Sequence, residues 1–209
     1  MDNEGPWTEE ELSFLRKLDS PIKVQMFLSS IEYDSDTESR SPRYVMKERK
    51  AHCFEGALFT AACLRMLGHR PLLVDLRAVN DDDHVIAVYK VEGRWGAVAK
   101  SNFTTLRFRE PVYGSLRELA MSYFDLYYNT IGQKTLREYS LPLDLSRFDD
   151  MEWMTSGEDL EYIGDELDRR KHFPLLSESM VKRLEIVEED LMKAGLLGAK
   201  EEGLFKPKG

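Results

Sequence analysis

The sequence predicts an α+β fold in which one long helix packs against an antiparallel sheet. Residues 51–67 are rich in Ala, Leu and Phe and hold few polar side chains, which suits a helix buried on most of its surface. Gly68 is placed to end this helix as a C′ glycine. Three short strand-like runs follow at 71–76, 84–91 and 94–99. A helix followed by a strand and then a hairpin is typical of an antiparallel sheet covered by helices.

Two further helices are expected before this core. Thr8 and Glu11 have the spacing of a capping box, and an apolar run follows them. Ser20 and Pro21 suit the N-cap and the first position of a second helix. Residues 33–42 are polar and rich in Ser and Asp, so we expect a loop there.

The expected hairpin fixes a register between its strands. Residues 92–93, Glu-Gly, suit a two-residue turn, which makes Val91 face Arg94. Extending this pairing along both strands places Ser101 opposite His84. A side chain at position 101 is therefore expected to lie close enough to touch that imidazole.

The chain is expected to divide near residue 150. Residues 1–150 would form the core domain with its N-terminal helices, including an amphipathic helix at 115–129. Residues 151–209 would form an acidic helical extension packed on the core. Within it we expect two helices over 156–194, separated by residues 172–174.

Composition and charge restrict the classes of partner. The chain has 209 residues, of which 29 are Lys or Arg and 38 are Asp or Glu, for a net charge of -9. This balance argues against a nucleic-acid partner and against docking on an anionic membrane. The sequence contains neither an apolar run long enough for a membrane span nor a secretory leader.

The two cysteines, Cys53 and Cys63, exclude a disulfide scaffold and favour a reducing, cytoplasmic location. The sequence has no CxxC or HExxH motif, so we expect neither a metal nor a cofactor. The oligomeric state is left open by the sequence.

Cys53 lies where the loop enters the long apolar helix. A thiol at a helix N-terminus meets free N–H groups and the positive end of the helix dipole, and both favour thiolate. Such a cysteine suits a nucleophile, although a free cysteine is as often a small buried apolar residue. Cys63 lies among apolar neighbours within the helix and is predicted to be structural.

His84 opens the second strand-like run, directly after three aspartates. A neutral imidazole there can take the thiol proton and return it to a leaving group, although a surface histidine at a strand edge is the alternative. A third group would fix the tautomer of the ring. Ser101 and Asn102 are the polar candidates for this role, and capping of the strand end is their alternative.

Residues 51–102 resemble the transglutaminase-like branch of the papain-like cysteine enzymes. The resemblance is carried by the following residues, in family order and at compatible spacing: Cys53, Leu64, Arg65, Gly68, Pro71, His84, Tyr89, Gly93 and Trp95. It implies a nucleophile helix packed on an antiparallel sheet and acyl chemistry through a thioester, with Cys53 attacking and His84 as acid and base. It also implies that the Cys53 N–H helps to hold the oxyanion.

Two positions depart from the family pattern. The usual aspartate aligns with Ala99, and the usual small glycine two residues before the cysteine is Ala51. The longer segment is similar to a little-characterised bacterial branch in which the Lys-Ser-Asn run at 100–102 stands in place of that aspartate. Asn102 or Ser101 would then be the third catalytic residue.

Three functions follow as hypotheses. The first is a cysteine-dependent amide hydrolase or acyltransferase that acts on a peptide or an amide-containing small molecule. The second is a binding module that keeps the fold without the chemistry. The third is an arylamine-type acetyltransferase using an acyl-CoA donor, for which the only basic cluster near the cysteine is Arg43, Lys47, Arg49 and Lys50.

Overall fold

A seven-stranded antiparallel sheet organises residues 6–208, the part of the chain that the structure, a computed structural model, describes. The helices are α1 (Glu9–Leu15), α2 (Pro21–Ser30), α3 (Pro42–Glu48), α4 (Cys53–Met66), α5 (Leu116–Met121), α6 (Glu161–Asp168), α7 (Glu178–Val181) and α8 (Glu189–Gly195). The strands are β1 (Glu32–Tyr33), β2 (Lys50–Ala51), β3 (Leu72–Ala78), β4 (His84–Val91), β5 (Arg94–Val98), β6 (Arg109–Tyr113), β7 (Leu136–Ser140), β8 (Leu143–Asp144) and β9 (His172–Pro174).

The strands follow the order β6-β5-β4-β3-β7-β9, with β8 also paired to β3, whereas β1 and β2 form a separate parallel pair. Alternate residues of a strand point to opposite faces of a sheet. Leu73, Val85 and Ala87 therefore pack with α4, whereas Val74 and Ile86 pack on the other face against α5 and the aromatic turn after it. The fold is α+β.

The ends of α4 follow from local chemistry. At its start, His52 and Glu55 form a capping box in which each side chain bonds the other residue's backbone N–H. At its end, Gly68 has a φ of 85°, which glycine adopts without strain. The N–H of His69 donates to the carbonyl of Leu64 at 2.9 Å and closes the last turn. The prediction that Gly68 ends this helix is confirmed.

The predicted hairpin between β4 and β5 is present. Glu92 and Gly93 have φ values of 49° and 79°, as a primed two-residue turn requires, and Val91 pairs with Arg94. The ladder ends where Ala87 pairs with Val98, because β5 stops there. The expected pairing of His84 with Ser101 is not formed, and His84 pairs instead with Leu76 of β3.

Two predicted helical regions differ from the structure. The helix expected over 115–129 is reduced to α5, and a 3₁₀ turn at Phe124–Leu126 follows it. Tyr123, Phe124 and Tyr127 pack against the sheet in this region. The hydroxyl of Tyr127 donates to the carbonyl of Asp82 at 2.7 Å. The region 156–194 contains α6, α7 and α8, but residues 172–174 form β9 at the sheet edge instead of a break between helices.

Residues after 150 share the core of those before it. Trp153, Leu160 and Ile163 have no exposed surface and belong to the same apolar cluster as α4. These three residues therefore belong to the apolar core that α4 shares, whereas the division of the chain at residue 150 stays a prediction. At the other end, the capping box of Thr8 and Glu11 is confirmed. Among residues 6–208 no helix is both long and apolar enough to cross a bilayer.

Candidate active site

Cys53 is the first residue of α4 and lies partly buried at the base of a cleft. The first-turn N–H of Phe54 is taken by the Nδ1 atom of His52 at 3.2 Å, and that of Gly56 by the carbonyl of His52 at 3.0 Å. Among the described residues, no hydrogen bond is made by the N–H of Cys53 itself. This amide is therefore available to a ligand beside the sulfur, at the positive end of the helix dipole.

The thiol of Cys53 is held in a setting that favours its ionised form. Burial alone raises the pKa of a thiol, but hydrogen bonding from His52 and His84 outweighs it and brings the pKa of Cys53 well below its usual range. For His52, burial acts to lower the pKa, whereas Cys53 and Glu55 outweigh burial and raise the pKa to about 9. Protonation of the His52 Nδ1 atom would break its bond from Phe54, which opposes that rise.

The imidazole of His84 is buried and held by a backbone group. Its Nε2 atom donates to the carbonyl of Leu106 at 2.9 Å, because a carbonyl can only accept. The Nδ1 atom is then the nitrogen left for the thiol of Cys53. The rings of Tyr123 and Tyr127 lie edge-on to it, with centroids 6.5 and 6.4 Å away, and restrict its rotation.

Ser101 and Asn102 line the cleft but are bonded elsewhere. The hydroxyl of Ser101 accepts from the N–H of Phe103 at 3.0 Å. The amide of Asn102 bonds both backbone groups of Lys200, each at 2.8 Å. The place that we expected for Ser101 or Asn102 beside His84 is taken by the carbonyl of Leu106. The reason is that β5 ends at Val98, so the chain leaves the register that would have continued to position 101.

The cleft has a volume of about 600 Å³. One wall is the acidic run at 81–83, and another is the segment Glu202–Phe205. Tyr33 also lines the cleft, and burial followed by the charge of Cys53 raises the pKa of its phenol far above the usual range. No lysine or arginine lines the cleft among the described residues.

Two of the basic residues before Cys53 are neutralised by acidic partners, and neither lines the cleft. Arg43 forms an ion pair with Glu11 at 2.9 Å, and Lys50 pairs with Asp34 at 3.2 Å. These contacts leave no cationic surface at the cleft for the phosphates of an acyl-CoA. The part of the chain that is described also holds no cluster of three or more His, Cys, Asp or Glu residues placed to bind a metal ion.

Glu55 supports the start of α4. It is fully buried and accepts from the N–H groups of Arg40 and His52, both at 3.1 Å. Its spacing after His52 is that of a capping box with an unusual N-cap residue. Two other groups at the site escaped the sequence analysis. The carbonyl of Leu106 has no sequence signal, because every residue has a carbonyl. The segment Glu202–Phe205 has none either, because its contact is long-range.

Comparisons with known proteins add little. No protein-family model matches the sequence, and no curated protein matches it. A solved structure described as a "Putative Cysteine Protease from Cytophaga hutchinsonii" is similar over 51% of this chain and 47% of its own length, with 17% identity and a TM-score of 0.35. A likeness of this size is too slight to establish a shared fold or activity.

Proposed function

We propose that this protein is a cysteine-dependent amide hydrolase or acyltransferase that acts through a thioester. The observation that carries the proposal is the position of Cys53, the first residue of α4, in a cleft that it shares with His84. The lowered pKa of its thiol agrees with that position. A partly buried thiolate at a helix N-terminus, open to a cleft, is the arrangement that nucleophilic cysteine enzymes need.

Of the two neighbouring histidines, His84 is assigned as acid and base. Both nitrogens of His52 are engaged, Nδ1 with the N–H of Phe54 and Nε2 with the carbonyl of Glu38 at 3.1 Å. In His84, Nε2 is bonded to the carbonyl of Leu106, so Nδ1 can exchange a proton with the sulfur and the substrate. His52, neutral with its Nδ1 atom accepting from the N–H of Phe54, acts as a cap of α4.

The chemistry proceeds in two halves. The Cys53 thiolate attacks an amide carbon, the oxyanion accepts from the free N–H of Cys53, and His84 donates its proton to the departing amine. A thioester remains. Water or an acceptor amine then attacks it while His84 removes a proton from the attacking atom, and the thiolate is restored.

The finer assignment, a papain-like core of the transglutaminase-like branch, is part of this proposal. It is supported by the order of α4, β3, β4 and β5 and by Cys53 and His84 at the starts of α4 and β4. The carbonyl of Leu106 would do what the missing carboxylate at Ala99 does in that family. A binding module remains the second candidate, because the segment Glu202–Phe205 covers part of the cleft.

Alkylation of Cys53 by iodoacetamide, followed by mass spectrometry, tests the proposal. Because its thiol pKa is lowered, labelling should stay fast well below pH ~8.5, where an ordinary thiol loses about tenfold in rate per pH unit. His84→Ala should slow labelling at pH ~6 by roughly tenfold or more. His52→Asn, which preserves a good N-cap, should slow it less.

Cys63 serves as the internal control, because it is buried and burial raises the pKa of its thiol. An acyl adduct trapped on Cys53 with an activated ester or amide would support the catalytic function. Slow labelling of Cys53 that is independent of His84 would contradict it and favour the binding module.

A further inference from the structure

The last segment of the described chain is fastened along the rim of the cleft. Asn102 bonds the backbone of Lys200 through two hydrogen bonds of 2.8 Å, and Asn80 bonds the backbone of Lys208 through bonds of 2.9 and 2.8 Å. Between these anchors, Thr130 donates to the carbonyl of Phe205 at 3.4 Å. The side chain of Lys200 also forms an ion pair with Glu32. These contacts hold residues 200–208 over the cleft from both ends.

The segment fits the cleft closely at one glycine. A Cβ atom added to Gly203 would lie 2.8 Å from the ring of Tyr33 and 3.2 Å from the amide nitrogen of Asn102. Any side chain at this position would push the segment away from Tyr33, which lines the same cleft as Cys53. Leu204 and Phe205 follow and line the same cleft as the sulfur.

We infer that the cleft is a polypeptide-binding site and that residues 200–208 are its resident ligand, so that substrate and this segment compete for one place. The inference rests on the proposed function and names its substrate class. The substrates are polypeptide segments with a glycine at the position of Gly203 followed by large apolar residues. Main-chain bonds of the kind that Asn102 makes give such a site affinity, and the tight fit at glycine gives it selectivity.

This assignment gives Asn102 a role opposite to that of an orienting residue. If Asn102 anchored His84, its loss would slow reactions of Cys53. If Asn102 anchors the segment, its loss opens the cleft, and reactions of Cys53 become faster. The sign of one measurement therefore separates the two roles.

Labelling of Cys53 with iodoacetamide in the full chain tests the inference. Asn102→Ala should label roughly tenfold faster than the wild type, or more, because about two ordinary hydrogen bonds are lost. Gly203→Val should also label faster, because its side chain would clash with the ring of Tyr33. Asn80→Gly should accelerate labelling in the same direction, and glycine keeps the positive φ of 59° at that position. Lys208→Ala is the matched control, because only the backbone of Lys208 is bonded, and its rate should not change.

A synthetic peptide with the sequence of residues 200–208 supplies the second measurement. It should slow the labelling of the Gly203→Val variant, whose cleft is intact and vacated, whereas a peptide with valine in place of the glycine should not. Thermal melts show that each variant is folded.

Labelling of Asn102→Ala and Gly203→Val within about twofold of the wild-type rate, a difference smaller than one hydrogen bond, would overturn the inference. So would slower labelling of Asn102→Ala, or a peptide that gives no protection. The inference stands without the proposed catalysis if Gly203→Val labels faster but His84→Ala changes nothing. The catalysis stands without it if only His84→Ala has an effect.

Discussion

Gly56 determines how closely α4 approaches the end of β5, and replacing it with alanine should change the stability by an amount that can be worked out. A Cβ atom at this position would lie 2.3 Å from the Cβ of Lys100 and 3.5 Å from its Cα. Lys100 cannot retreat, because its buried ammonium donates to the carbonyls of Leu28 and Ile31 at 2.9 and 2.7 Å. The helix or the strand end must therefore move.

Two opposing effects set the size of the change. Replacing glycine with alanine inside a helix contributes about 0.5–1 kcal/mol through backbone entropy. Overpacking of a buried contact costs about 1–3 kcal/mol. We expect Gly56→Ala to lower the free energy of unfolding by roughly 1–2 kcal/mol, and Tm by about 2–8 °C in a chain of this size. Movement of α4 should also change the labelling rate of Cys53.

Gly164 in α6 is the matched control. A Cβ atom there would lie 3.8 Å from two ring atoms of Phe54, an ordinary contact distance. Gly164→Ala should therefore raise the free energy of unfolding by about 0.5–1 kcal/mol. Urea titrations with equal m-values measure both variants. Stabilisation of both by the same amount would refute the close approach at Gly56.

Two other side chains give further tests. Burial and the charge of Asp83 raise the pKa of Asp75 from 3.8 to about 6, so its contribution to stability is full below pH 3.8 and is lost as the pH rises through about 6. Asp75→Asn should abolish this loss of stability, which is roughly 1–3 kcal/mol. Urea titrations between pH 3.8 and about 6 measure how the free energy of unfolding changes with pH in each protein. The same pH dependence in the wild type and the variant would contradict the burial argument. Glu55→Gln should lower the free energy of unfolding by about 1–3 kcal/mol, because a buried amide replaces a carboxylate that accepts two N–H groups. Glu48 is exposed, so Glu48→Gln is the control in the same denaturation assay. Equal stability of the two variants would contradict the expectation.

The predictable parts of the fold are the local ones. The capping box of Thr8 and Glu11, the turn at Glu92 and Gly93 and the end of α4 at Gly68 each depend on residues within a few positions. The start of α4 at Cys53 also follows from its neighbours in sequence. These features were predicted because short-range hydrogen bonds and backbone angles determine them.

The remaining parts depend on contacts between distant residues. His172 lies in the segment that was predicted only to separate two helices, yet its strand completes the sheet edge and its Nε2 atom lies 2.9 Å from Asp75, a partner 97 positions away. The bonds between Asn102 and Lys200 span 98 positions. No period or spacing in the sequence encodes such pairs. The amide side chain of Asn102 suggested that it orients the ring of His84. Because β5 ends at Val98, the chain does not bring Asn102 to that ring.

A main-chain oxygen, that of Leu106, holds the His84 ring. The orientation of the ring should therefore depend on the length of the chain before Leu106 and not on which side chain stands at that position. Point substitutions at Leu106 leave that oxygen in place, so a scan of single replacements there should be nearly silent for ring orientation. Inserting or deleting one residue between β5 and Leu106 would displace the oxygen and free the ring, whatever side chains were present. Frame-preserving indels, and not missense changes, are the lesions to which this part of the site is vulnerable.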